Sequence, residues 1–101
     1  MIDFDNIIGF EWDSGNGRKS EAKHGVTKVE AEEIFFNQPL LINLDQKHSA
    51  TELRYLALGK TNKLRVLTVI FTLRQQNTLI RIISARDQHR KERLLYDQTN
   101  K

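Results

Sequence analysis

The sequence predicts an α+β fold, an antiparallel β-sheet meander with N-terminal helices and a C-terminal helix. Three observations carry it. Apolar residues recur at helical spacing before Pro39, at a period of two from Leu40 to Ala85, and at helical spacing again beyond it. The period-two runs are joined by the short polar stretches "DQKHSATE", "KTNK" and "QQN", which suit hairpins better than crossovers. The length of 101 residues sets one compact domain spanning 1–101, with no linker, repeat or low-complexity tract to divide it.

Taken in order, "IGFEWD" (8–13) alternates as a short edge strand, with Phe10 and Trp12 on one side and Glu11 and Asp13 on the other. "SGNGRKSEAKHGV" is a loop leading into a short helix that Gly25 closes. In "VTKVEAEEIFFNQP", Thr27 and Glu30 form a capping box and Val26 and Ala31 a hydrophobic staple. Val29, Ile34, Phe35 and Phe36 supply that helix with an apolar stripe, and Pro39 prevents its continuation. Four strands follow, in "LLINL", "LRYLALG", "RVLTVIFTLR" and "TLIRIISA". The third presents Leu67, Val69, Phe71 and Leu73 to the core and Val66, Thr68, Ile70, Thr72 and Arg74 to a more open face. The final helix, in "DQHRKERLLYDQ", is anchored by Leu94, Leu95 and Tyr96 and capped by Ser84 or Asp87.

Composition narrows the function. The chain holds no cysteine, so disulfides and thiolate metal sites are excluded and a cytoplasmic location is expected. No apolar run is long enough to span a bilayer, and the opening residues lack an export signal. His24, His48 and His89 lie in unrelated segments without metal-ligand spacing, and neither a glycine-rich phosphate loop nor a nucleophile elbow is present. No metal and no cofactor are expected.

The net charge of +3 conceals a division. Residues 1–50 hold five Lys/Arg against nine Asp/Glu, whereas residues 51–101 hold eleven against four. Seven of those eleven are arginines, at 54, 65, 74, 81, 86, 90 and 93, and a planar guanidinium is suited to bidentate recognition of phosphate or carboxylate. Arginines crowded on a sheet repel unless an anion or a carboxylate lies between them. Glu11, Glu52, Asp87 and Glu92 are the carboxylates available for that purpose. Arg81 and Arg86 differ by five positions, which in a regular strand puts them on opposite faces. A shared site therefore requires the strand to end near Ser84, with Arg86 swinging round at the start of the last helix.

The motifs "FEWD" (10–13), "KHGV" (23–26), "EAEEIF" (30–35), "HSATELR" (48–54), "TLR" (72–74), "RIISAR" (81–86) and "ERLLY" (92–96) resemble, in order and spacing, the BrnT family of toxins from type II toxin–antitoxin pairs. The resemblance covers almost the whole chain. It implies a RelE-like fold, a metal-independent endoribonuclease that shuts down translation, and neutralisation by a BrnA-type antitoxin with a ribbon-helix-helix region. Operator DNA would be bound only indirectly, through that antitoxin. Combined with the chemistry of RNA cleavage, it marks Arg74, Arg81 and Arg86 as stabilisers of the phosphorane charge, with Lys23 assisting and His24 as the proton-transfer group. Glu92, Arg93 and Tyr96 are expected to position those groups or contact RNA. Ser14, Asn16 and Ser20 stand where the family commonly has Pro, Lys and Asn, and the glycine that often precedes the long central strand is missing from "TNKLRV". A catalytically weak module that binds the antitoxin and aids repression is the alternative.

Overall fold

A computed structural model describes residues 2–13, 15–48 and 52–99. Ser14, and Ser49 to Thr51 of the "HSATELR" motif, lie outside them. The strands are β1 (Gly9–Trp12), β2 (Leu41–Leu44), β3 (Tyr55–Lys60), β4 (Val66–Arg74) and β5 (Leu79–Asp87), and the helices α1 (Asn16–His24), α2 (Lys28–Glu33) and α3 (Arg90–Thr99). One sheet runs in the order β1-β5-β4-β3-β2. Its β2–β5 portion is the expected meander, and β1 joins the far edge parallel to β5, with Trp12 beside Ile82.

β1 ends at that pair, which leaves the outer edge of β5 bare beyond it. α1 takes over, and the hydroxyl of Ser20 accepts a hydrogen bond from the Ala85 N–H at 3.1 Å. Gly25 ends α1 in the left-handed conformation, φ 66°, as its position predicted. Both arms of the Thr27–Glu30 capping box form. Val26 and Ala31 are fully buried beneath α2 with Ile34. The rest of the expected stripe departs, because α2 ends at Glu33 and a 3-10 turn, Ile34–Phe36, rotates the side chains that follow. Phe36 points to solvent as a result, and Val29, within α2 itself, is exposed as well.

The main core lies on the face of the sheet formed by Ala57, Val69, Phe71, Ile80 and Ile82. Phe35 packs edge-on against Phe71, and Tyr55 stacks on the same ring. Gly59 is required here: a Cβ at that position would come within 2.8 Å of the Ile34 Cβ. α3 packs on the opposite face over β3, where Leu58, Thr68 and Tyr96 are buried. The Thr68 end of that face is consequently covered, not open. Among its expected anchors only Tyr96 is buried, while Leu94 and Leu95 are exposed. The helix starts at Arg90, so neither Ser84 nor Asp87 caps it. The N–H of His89 instead donates to Glu92 at 2.8 Å, across the first turn.

Arg65, between β3 and β4, ties these parts together. Its guanidinium meets both carboxylate oxygens of Asp87 at 2.7 and 3.1 Å and Glu30 at 3.1 Å. It also donates to the carbonyl oxygens of His24 and Gly25, groups that the end of α1 leaves without helical partners. Hydrogen bonding to Arg65 holds the Asp87 carboxyl below its usual range. The Thr27 N–H, outweighing burial, and Arg65 do the same for Glu30.

Candidate active site

The position of Arg86 turns on one irregularity. β5 does not stop near Ser84 but continues to Asp87. Its ladder with β4 pairs Ile70 with Ser84 and Phe71 with Ile82, leaving Ile83 as the extra residue of a β-bulge. The extra residue resets the alternation. Arg81, opposite Thr72, and Arg86, opposite Thr68, therefore share the face that also carries Ile70 and Arg74. The expected termination is overturned, and the common face arises from the bulge instead.

On this face the register lays out three rows across β3, β4 and β5. The middle row, Leu56, Ile70 and Ser84, floors a cavity of about 350 Å³ whose lining also includes Asp45, Arg54, Ile83 and Arg86. Arg54 comes from the row beside Thr72, and Arg86 from the row beside Leu58 and Thr68. Those two rows lie four residues apart along β4, or ~13 Å at strand rise. Long guanidinium side chains reach inward from both.

Arg86 is held rigidly. Its Nη1 and Nη2 donate to Glu92 Oε1 and Oε2 at 2.7 and 3.0 Å, a bidentate pair. Glu92 Oε1 also accepts from the Thr68 hydroxyl at 2.9 Å and from the His89 N–H. Burial pushes the Glu92 carboxyl up, but these donors, led by Arg86, outweigh it and bring it down to about 2. Glu92 is thus an anion that fixes a cation. A guanidinium carries five N–H donors, so Arg86 retains capacity for a phosphate while it is held. The His89 ring, 71% exposed, lies beside the pair with Nδ1 4.0 Å from Glu92 Oε1.

The other sequence-derived candidates divide. Arg74 pairs with Glu52 at 3.3 Å, and Arg81 pairs with Asp13 and, at 3.8 Å, with Glu11. They share the face of Arg86 but not the cavity lining, so the three arginines do not converge on one anion. Lys23 and His24 end α1 at the outer edge of β5, with Lys23 exposed and His24 near Asp87, and neither lines the cavity. Arg93 is exposed on α3. Tyr96 is fully buried and donates its hydroxyl to the Pro39 carbonyl at 2.7 Å, so it packs α3 down rather than meeting a ligand. Ser20, one of the departures, is a buried joint between α1 and β5. Sequence reasoning missed Arg54 and His89. Arg54 closes the "HSATELR" motif, and that was the available signal. Among the described residues no three His, Asp or Glu side chains gather as a metal site would require.

The class is that of a small α+β domain with a five-stranded sheet, one bulged strand and a cavity lined by Arg54 and Arg86. Residues 12–92 match the family described as the ribonuclease toxin BrnT of type II toxin–antitoxin systems, and the chain belongs to it. Among solved structures it is similar to the Brucella abortus ribonuclease toxin BrnT, with TM-score 0.60 and 23% identity over 82% of this chain and 99% of that one. That likeness is one of fold. No curated protein matches the chain significantly.

Proposed function

We propose that this chain is a metal-independent endoribonuclease whose reacting phosphate sits between Arg54 and Arg86. The observation that carries the reading is the Arg86–Glu92 fork at the edge of the cavity, in a chain of a ribonuclease toxin family. The RNA 2′-hydroxyl loses its proton, its oxygen attacks the adjacent phosphorus, and the departing 5′-oxygen takes up a proton. Charge building on the phosphorane oxygens is met by Arg86, preorganised by Glu92, and by Arg54 across the cavity. A carboxylate held at about 2 is too weak a base for the first step, so Glu92 positions and does not transfer protons. His89 is the proton carrier nearest the fork. The need for a 2′-hydroxyl makes RNA, not DNA, the substrate.

By family resemblance the toxin acts in the cytoplasm, inhibits translation and adopts a RelE-like fold. Its antitoxin is of the BrnA type and carries the DNA contacts. No helix among the described residues is long and apolar enough to cross a membrane. A second reading, a catalytically weak module that works through its antitoxin, is favoured by the carboxylate partners of Arg74, Arg81 and Arg86, a pattern that structural ion pairs also give.

The test is incubation of antitoxin-free protein with RNA in EDTA. Cleavage by the wild type that falls roughly 10²-fold or more in Arg86→Ala supports the nuclease. RNA left intact by the wild type supports the second reading.

A further inference from the structure

We propose that the apolar groove at the β1 edge, on the sheet face opposite the cavity, docks the antitoxin, and that the segment seated there is amphipathic and basic. The partner's identity rests on membership of a type II toxin family, not on the cleavage chemistry above.

The groove encloses about 510 Å³ between Phe4, Ile8, Phe10, Phe35 and Phe36. Its walls are not ordinary surface: Ile8 is 80% exposed and Phe36 76%. Phe36 stands edge-on to Phe10 at 6.0 Å, so the groove is lined by rings already held in place. Phe4 also borders a second apolar hollow that reaches Ile42 and Leu44, which extends the patch across the end of the sheet. Large apolar side chains gathered and exposed in this way mark a surface that a protein partner covers.

Charge selects the partner. The two segments that build the groove, 1–13 and 29–40, contain seven Asp/Glu and no Lys or Arg. Of the seven, Glu11 and Asp13 pair with Arg81 on the other face, and Glu30 pairs with Arg65. Asp3 and Asp5 flank Phe4 directly and are exposed. Such a rim repels nucleic acid. In a symmetric dimer the same patch would meet itself, setting acid against acid. A basic segment is attracted, and its alternating or helically spaced apolar side chains fill the hollows between the rings.

The experiment measures binding of the purified wild-type chain, Ile8→Glu and Phe36→Glu to the cognate antitoxin by calorimetry at low and high salt. Ile8→Ser and Phe36→Ser serve as milder variants should a glutamate disturb folding. Each substitution is expected to weaken the complex roughly tenfold or more, as loss of a buried apolar anchor does. Wild-type affinity is expected to fall as salt rises. Unchanged affinity in all the variants overturns the proposal, and so does a wild-type homodimer that Ile8→Glu dissociates. RNA cleavage by the same variants should stay at the wild-type rate, because the groove faces away from Arg86. Failure of the nuclease proposal would appear separately, as RNA left intact by the wild type while antitoxin binding is still measured.

Discussion

Three kinds of donor, a guanidinium, a hydroxyl and a backbone N–H, meet at Glu92 Oε1, and the energetic consequence can be measured. The carboxyl is brought down to about 2 in the fold, against 4.5 for an ordinary glutamate. As pH falls, the unfolded chain takes up this proton first. The stabilisation is therefore complete above about pH 4.5 and is lost between 4.5 and about 2. Its size is on the order of 3 kcal/mol at 1.36 kcal/mol per unit. Urea denaturation at pH 6 and pH 3 should show this fall, reduced but not abolished in Glu92→Gln, since Asp87 and Glu30 are lowered as well. At neutral pH the same variant should lose about 1–3 kcal/mol and much of its activity, because it leaves Arg86 half-partnered. This trio was partly legible in advance. Glu92 could be named as a positioner from the "ERLLY" motif, whereas Thr68, one of several threonines on a strand, carried nothing to single it out.

Among the elements, the bulge in β5 decides the most. Deleting Ile83 would take out the extra residue and leave Ser84 opposite Ile70, Ala85 opposite Val69 and Arg86 opposite Thr68, so each side chain would keep its face in a regular strand. The deletion should therefore keep the fold and leave Arg86 on the cavity face, as should Ile83→Val, which keeps the residue count. Circular dichroism melts and the RNA assay check both variants, and loss of fold and cleavage in the deletion alone would contradict this account of the bulge. No glycine or proline announces the bulge in "RIISAR", which is why the sequence pointed to a strand end instead. The α2 entry was legible because a capping box is a local device with fixed spacing. Its exit was not, because packing against Gly59 sets where the helix tightens into a 3-10 turn, and that contact joins residues far apart in sequence. Gly59→Ala should accordingly cost about 1–3 kcal/mol in urea denaturation. In the β4–β5 connection, Gln75, Gln76 and Asn77 all hold positive φ, between 54° and 68°. Relieving one of them with Gln76→Gly should raise stability by up to about 1 kcal/mol.

Over the whole molecule, the charge division along the chain is only partly a division in space, since Asp45 lines the cavity and Glu11 and Asp13 pair with Arg81 on its face. The acidic half builds the groove at the β1 edge, and the basic half contributes Arg54 and Arg86 to the cavity on the other face. In the two proposals above, RNA meets Arg54 and Arg86 on one face, and the antitoxin meets the groove flanked by Asp3 and Asp5 on the other. The halves could be counted from the sequence, but their faces could not, since these follow from the placement of β1 beside β5 and from the bulge. RNA affinity should weaken as salt rises, and more steeply in the wild type than in Arg54→Ala. The most direct test of the central claim locates the RNA. A 2′-deoxy oligonucleotide that cannot be cleaved is titrated into isotopically labelled protein, and backbone amide shifts are followed by NMR. Shifts centred on Leu56, Ile70, Ser84 and Arg86 are the predicted result. Shifts centred on Lys23 and His24, or on the groove at Ile8 and Phe36, would contradict it.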